Sequence, residues 1–392
     1  MIYAGIDVAK DKHDCFITNS DGEVLFKSFT ISNSREGFET LFQRIESVSD
    51  DLTKVKVGLE ATGHYSYNLL GFLLDKGLTT FVINPLHTNL YRKSLSLRKT
   101  KTDKVDSRTI ATMMMSDMNL KSYSDTSYHN EELKSLTRYR FDKVKERAKL
   151  KSSISRLVTI LFPELENLVP SLHIASVYAL LSELPGASHV ASAHLTRLSN
   201  VLAEASKGHY GRDTAILFRE AAKSSIGSVM PAKSLELKHT IRLIQELTAE
   251  IDEIEAAIKQ IMDEEIQSPI LTIPGISYRM GAMIIAEIGD FSRFDSADKI
   301  LAYAGMSPST YQSGQLDNCY AHMEKRGSRY LRYALYNATK YVCHWDESFG
   351  AYLEKKRSEG KHYNVALSHA AKKLVRLIFA MEKSGQAYIP AA

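Results

Sequence analysis

The hydrophobic pattern of the first 120 residues changes period several times. Ile2–Val8 is a short apolar run, and the stretches 13–19 and 24–31 alternate with a period of two. Between those two, Ser20-Asp21-Gly22-Glu23 carries the Asp-Gly signature of a tight hairpin turn. The pattern predicts three antiparallel strands in a meander. Phe38, Leu41, Phe42 and Ile45 have helical spacing and predict a helix over 34–47. A fourth strand is predicted over 55–59, ending at Glu60, then a helix over 65–76. A fifth strand over 79–83 is closed by Asn84-Pro85, and residues 103–118 read as a helix.

Residues 130–165 contain no glycine or proline before Pro163 and predict one long helix. It is lopsided in charge, with nine basic and two acidic residues between Leu133 and Leu157. Residues 166–236 are broken by prolines and glycines and predict short helices and loops. From Leu237 the apolar positions Ile244, Leu247, Ile251, Ile254, Ile258 and Ile261 advance by threes and fours, a heptad seam with Thr240 as its polar break. Its flank is acidic, eight acids against one lysine from Glu246 to Glu265. The basic and acidic helices are complementary. They could pair as a hairpin within one chain or as a seam between two chains. Beyond Pro269 come a Pro274-Gly275 turn, helices near 280–288 and 296–304 with helix-hairpin-helix-like spacing, and a basic helical stretch over 327–382.

These patterns divide the 392 residues into an α/β domain (1–125), a helical, coiled-coil region (126–265) and a mostly α C-terminal domain (266–392). With 44% apolar residues the chain can bury a core, and a net charge of +4 says little until it is located. No apolar run is long enough to span a membrane. The first residues lack a basic region leading into an apolar stretch, so no signal peptide is expected. Three cysteines in no paired spacing fit a reducing cytoplasm and argue against a cysteine zinc site.

Acids fall where a sheet would present them together. Asp7 lies inside an apolar strand, a costly place for a carboxylate unless it is paired or binds metal. Glu60 ends the fourth strand, and Asp103 and Asp106, three apart at a helix start, can face one side. Taken singly, each has an ordinary structural reading: a turn partner, a solvated strand end, a helix cap with its box partner. Taken in order, strand–hairpin–helix–strand–acid–helix–strand–acid-bearing helix, they match the ribonuclease H architecture. There, clustered hard oxygen ligands suit Mg²⁺ or Mn²⁺ and serve phosphodiester chemistry. Asp11 and Asp14 are nearby alternatives, and Lys10 could contact phosphate or be a solvated turn residue.

Two basic stretches accompany these acids. One holds Arg92, Lys93, Arg98, Lys99, Lys101, Lys104 and Arg108, and the long helix adds Arg138, Arg140, Lys143 and Arg147 among others, interleaved with Tyr139 and Phe141. Such stripes bind phosphate backbones, and aromatics stack on unpaired bases, although a single charge run is usually a solvated helix face. Near the C-terminus, serines punctuate a glycine-bounded loop over 305–314, followed by Lys325 and Arg326. A serine there becomes a nucleophile only if a base or a metal activates it, and no histidine is well placed to do so.

Gly5-Ile6-Asp7-Val8-Ala9-Lys10, Glu60-Ala61-Thr62-Gly63, Lys101-Thr102-Asp103-Lys104-Val105-Asp106-Ser107, Pro274-Gly275-Ile276, Ala304-Gly305-Met306-Ser307-Pro308, Gln312-Ser313-Gly314 and Lys325-Arg326-Gly327-Ser328 together resemble the insertion-sequence transposases with an Asp-Glu-Asp-Asp tetrad, a family that includes Piv-type DNA invertases. The resemblance covers nearly the whole chain. It implies a RuvC-like nuclease domain in which Asp7, Glu60, Asp103 and Asp106 bind Mg²⁺, and a Ser313 that attacks DNA to form a phosphoserine intermediate. Ser309 and Ser307 are the alternative nucleophiles. Ser328 stands where many relatives carry asparagine. The resemblance also implies homo-oligomers in which the serine of one protomer completes the acidic site of another. It implies donor and target DNA as substrates, a noncoding guide RNA that pairs with both, and a bacterial, nucleoid-associated protein. An invertase, a Holliday-junction resolvase using water, and a non-catalytic nucleic-acid binder are the rival readings.

Overall fold

The computed structural model describes residues 1–392 apart from 61–62, 84, 96–102, 117–119, 121–122, 124–125, 309–311, 314–315, 318–321 and 391–392; at some described positions, Asp103 and Ser313 among them, the description stops at the backbone. The chain forms two compact units, Met1–Tyr128 and His129–Ala392.

The first unit is built on β1 (Ile2–Val8), β2 (Lys12–Asn19), β3 (Val24–Ser32), β4 (Val55–Glu60) and β5 (Thr79–Ile83), in the order β3-β2-β1-β4-β5. The first three form the expected antiparallel meander. β4 pairs parallel with β1, and β5 parallel with β4. Both faces of this mixed sheet are covered, which is why its inner strands read as almost continuous apolar runs. On one face α1 (Arg35–Glu46) and α2 (Tyr67–Asp75) bury Phe38, Leu41, Ile45, Leu69 and Leu73 against Ala4, Ile6, Val57 and Leu59. The Ser34 hydroxyl caps α1 by accepting from the Gly37 N–H. On the other face α4 (Asp103–Ser116) lays Ile110, Met113 and Met114 on Phe81 and Ile83, with α3 (Pro85–Leu95) beside it. Helix α3 departs from the expectation that Asn84-Pro85 simply closes β5. Pro85 is its first residue, where a missing N–H costs nothing.

The boundary between the units falls in the first turn of α5 (Thr126–Leu161). Five short helices follow: α6 (Leu165–Leu168), α7 (Ala175–Glu183), α8 (Ala187–Ser192), α9 (Leu195–Ala205) and α10 (Arg212–Lys223). Then comes α11 (Pro231–Glu264), which begins one and a half turns before the expected seam, with Pro231 at its start. The seam is buried within this chain, and by two different cores. Leu237, Ile241 and Ile244 pack with Ile154, Leu157 and the short helices, while Ile254, Ile258 and Met262 pack with the C-terminal helices. Of the two arrangements open in the sequence, α5 and α11 adopt the internal one. Arg140 meets Glu255, Lys143 meets Glu250 at 2.7 Å, and Arg156 meets Glu236 at 3.1 Å. Numbers rise along one helix as they fall along the other, so the two run antiparallel.

The C-terminal part holds α12 (Tyr278–Ile288), α13 (Ala297–Tyr303), the two-residue strands β6 (Gln312–Ser313) and β7 (Leu316–Asp317), α14 (Arg329–Trp345), α15 (Glu347–Ser358) and α16 (Tyr363–Ser384). The Gly275 turn precedes α12 instead of joining two helices; ahead of it lies only a 3₁₀ turn, Pro269–Thr272. No helix among the described residues is long and apolar enough to cross a membrane.

Candidate active site

Strand geometry decides where the first two acids go. Side chains alternate across a sheet, so Tyr3, Gly5 and Asp7 share the face covered by α4, as do Lys56, Gly58 and Glu60. Ile6 pairs with Leu59 across the parallel ladder, which puts Asp7 and Glu60 level with each other on neighbouring strands. Both are half-buried. A third acid joins them that the sequence ranked low: Asp14 is the direct antiparallel partner of Asp7. It is buried, and its Oδ1 accepts from the Thr30 hydroxyl at 2.7 Å. Like charges directly opposed across a ladder are destabilising. The Asp7–Asp14 opposition therefore carries a cost in stability that other contacts must offset.

Two glycines let the acid-bearing helix come down on these strands. Gly5 and Gly58 are cross-strand partners. A Cβ on Gly5 would stand 2.2 Å from the Ser107 carbonyl oxygen and 2.6 Å from the Ala111 nitrogen; one on Gly58 would stand 2.5 Å from the Met114 sulfur. Helix α4 thus presses its backbone onto β1 at Ser107, next to Asp106 and one turn after Asp103. Sequence reading uses Gly5 only as a piece of a motif and misses Gly58.

Asp106 is buried, and its Oδ1 receives the Arg92 guanidinium at 2.8 Å. Arg92 also donates to Asn89 Oδ1 at 2.9 Å. A residue expected to touch nucleic acid is therefore, in this structure, the partner of a tetrad carboxylate. The side chain of Asp103 lies outside the described residues. Among the described residues no three acids, histidines or cysteines stand in an arrangement that holds a metal ion. The donor set itself, carboxylates on one face with no sulfur ligand, has the chemistry of a hard divalent-cation site.

The remaining basic residues divide into paired and exposed. Arg138 makes a bidentate pair with Glu287, Nε to Oε1 at 2.5 Å and Nη2 to Oε2 at 3.0 Å, and the Glu287 side chain is fully buried. Arg140 and Lys143 meet Glu255 and Glu250, and Arg147 Nη1 donates to Thr248 Oγ1 at 3.4 Å. All four of these α5 residues, expected on the nucleic-acid side, contact this chain's own helices. Lys10, Lys93, Lys325 and Arg326 are exposed; Arg98, Lys99 and Lys101 lie outside the described residues.

The serine loop grows from a stem zipped like a small ladder. The Ser328 N–H donates to the Tyr303 carbonyl at 2.9 Å, Lys325 N–H to Gly305 at 3.0 Å, and Glu324 N–H to Ser307 at 3.1 Å. Pro308 bridges Met323, and Arg332 Nη1 clamps the Ala304 carbonyl at 2.8 Å. Gly327, at φ +120, allows this closure, since a Cβ there would meet the Tyr303 oxygen at 2.1 Å. Beyond the stem, Gln312 pairs with Asp317 and Ser313 with Leu316, antiparallel. Ser313 therefore lies in a short two-stranded ladder, and Ser307 lies half-buried in the stem; Ser309 lies outside the described residues. Ser328 caps α14 by accepting from the Leu331 N–H and donates to Glu287 Oε2 at 2.5 Å.

Two family profiles match the chain. One, described as transposase, covers residues 4–163; the other, described as the IS116/IS110/IS902 family of transposases, covers residues 267–354. The 44.8 kDa protein of insertion element IS116 from Streptomyces clavuligerus is 24% identical over 100% of this chain and 96% of its own length. The 42 kDa protein of insertion element IS900 from Mycobacterium paratuberculosis is 24% identical over 100% and 98%. A pilin gene-inverting protein of Moraxella lacunata is 23% identical over 98% and 97%. One profile takes in Asp7, Glu60, Asp103 and Asp106, the other the serine loop and its stem, and the chain accordingly belongs to the IS116/IS110/IS902 family of transposases, enzymes that cut and rejoin DNA.

Proposed function

We propose that the chain moves its own insertion element by cutting and rejoining donor and target DNA. In this reading the first unit is a RuvC-like, RNase H-type nuclease domain. Asp7, Glu60, Asp103 and Asp106 hold Mg²⁺ or Mn²⁺, and Ser313 is the nucleophile. The observation that carries it is the level placement of Asp7 and Glu60 beneath an acid-bearing helix that two facing glycines admit. The bound cations would supply charge neutralisation at the phosphate and lower the pKa of the attacking hydroxyl. The chain's own part is positional. The acids fix the phosphate's surroundings, and the stem of the 305–328 loop anchors the segment that carries Ser313. The serine oxygen forms a bond to a backbone phosphorus as one phosphorus–oxygen bond of the DNA breaks, and the leaving strand ends in a hydroxyl. Attack by a strand hydroxyl on the phosphoserine restores the serine and joins the DNA.

The rest of the reading concerns assembly and targeting. The chain acts as a dimer or tetramer in which one copy's serine serves another's acids. A noncoding RNA chooses the sites, which agrees with basic segments that carry no base-reading motif. A site-specific invertase is the second reading, favoured by the full-length similarity to the pilin gene-inverting protein. The test is adduct trapping with Mg²⁺ and element-end DNA. Wild type forms a covalent protein–DNA species. Ser313→Ala binds DNA but forms none, and Asp7→Asn loses about a hundred- to a thousandfold in rate, the scale of a missing electrostatic stabiliser. Full strand cleavage by Ser313→Ala would replace this account with a water-using resolvase. Products with the intervening segment reversed would favour the invertase.

A further inference from the structure

We infer that the exposed face of α14 is a stacking strip for unpaired nucleotides, with Tyr333, Tyr341 and Trp345 as its platforms. The inference rests on the recombinase reading and adds to it a surface and a ligand class.

Positions 329, 333, 337, 341 and 345 advance by fours, so one ridge, inclined to the helix axis and winding round it, carries Arg329, Tyr333, Asn337, Tyr341 and Trp345. Leu331, Ala334, Leu335, Ala338 and Val342 are sunk in the C-terminal core, opposite Tyr333 and beside Tyr341 and Trp345, and the three rings themselves stay exposed. Trp345 is 66% exposed and Tyr341 57%. A single exposed ring is ordinary. Three on one winding ridge, with a rise of about 6 Å for each step of four residues, form a track.

Charge selects the occupant. Helix α14 contains Arg329, Arg332 and Lys340 and no acid, and Lys340 and His344 are exposed beside the rings. At the start of the strip Tyr333 packs edge-on against Phe141, centroids 4.7 Å apart. The Lys145 ammonium sits 5.5 Å from the Phe141 ring, and the Arg329 guanidinium 4.6 Å from Tyr330. At the far end His344 braces the Trp345 ring edge-on at 4.9 Å. The acids that approach the strip are Asp142, 4.0 Å from Arg329, and Asp346 and Glu347, which follow Trp345; Asp346 is buried and accepts from the Ser348 hydroxyl, the Phe349 N–H and the Tyr388 hydroxyl. No aliphatic side chain lies on the line, so an apolar protein helix would find little to pack on. Flat rings flanked by cations fit the two chemistries of a single strand, π-faced bases and phosphates.

Trp345 is the only tryptophan, so its fluorescence reports on this strip alone. The full chain is titrated with oligothymidylate, with oligouridylate and with a duplex of equal length at one salt concentration. The expected result is saturable quenching by single strands and little by duplex, with affinity falling about tenfold for each of Tyr333→Ala and Tyr341→Ala. The Trp345→Ala variant, followed by anisotropy of a labelled oligonucleotide, should lose a similar factor with its melting temperature unchanged. Quenching by the thymidylate strand alone assigns the strip to a displaced DNA strand; quenching by the uridylate strand alone assigns it to RNA. Unquenched Trp345, or ring-deleted variants that bind single strands as tightly as wild type, overturn the strip. So does a Trp345 emission that shifts with protein concentration in the absence of nucleic acid, which would mark a contact between copies. Covalent adduct formation is scored in parallel. If it persists when stacking fails, the strip alone is lost; if wild type forms no adduct, the underlying reading falls whatever the fluorescence shows.

Discussion

Two charged clusters that look alike in the sequence end in opposite situations. The acids of the first unit are gathered: Asp7 opposes Asp14 and lies level with Glu60, and α4 is pressed against the same sheet face. The cations of α5 are dispersed onto partners, with Arg138, Arg140 and Lys143 each facing a glutamate of α11 or α12. Folding normally separates like charges and joins opposite ones, as it does along α5. Setting Asp7 directly opposite Asp14 runs against that tendency and costs stability, so their placement calls for a reason beyond the fold. The lesson is that a charge run has no meaning until its neighbour is known.

The contrast can be broken most forcefully at Arg138. Its guanidinium is the bidentate partner of a fully buried carboxylate, so Arg138→Ala leaves Glu287 charged in the core beside the Ser328 hydroxyl alone. The expected cost is about 3–5 kcal/mol, read by chemical denaturation. If Arg138 were chiefly a nucleic-acid contact, stability would hold and only binding would fall. The next largest effect is at the acids. Gly5→Val drives a side chain into the α4 backbone and should cost about 3 kcal/mol, displacing the helix that carries Asp103 and Asp106. Hydrogen exchange in α4 would follow the displacement, and unaltered protection there would refute the close approach. The smallest effect sharpens the other side. The Glu250 carboxylate, aided by Tyr139, holds the half-buried Lys143 ammonium up at about 12. A raised lysine contributes its pairing stability fully below its ordinary 10.5 and loses it as pH rises through about 12. Glu250→Gln should return the Lys143 titration, followed by NMR, toward 10.5 while leaving the melting temperature at pH 7 almost unchanged.

Much of this was legible locally. The Asp-Gly turn, the period-two runs and the helical spacing of Phe38, Leu41, Phe42 and Ile45 yield the meander and α1, because each signal sits within one element. Helix α3 was hidden because Pro85 reads as a stop when it follows a strand, although the same ring is well suited to a first helical turn. Asp14 ranked low because strand register, not sequence distance, makes it the partner of Asp7. The aromatic ridge on α14 was invisible as a surface because three rings on a helix read as core until their exposure is seen.

By itself the sequence determined periodicity, hence which segments are strands and helices and which residues share a face, since that information is carried by neighbours a few positions apart. It also carried the order of motifs that marks the family. Only the tertiary structure decided which face meets which: that the heptad seam is shared between two cores of one chain, that the α5 cations meet glutamates about a hundred residues or more away, and that paired glycines admit α4. Those choices depend on contacts between distant segments, where volume and charge must match in space, and no local pattern encodes the partner.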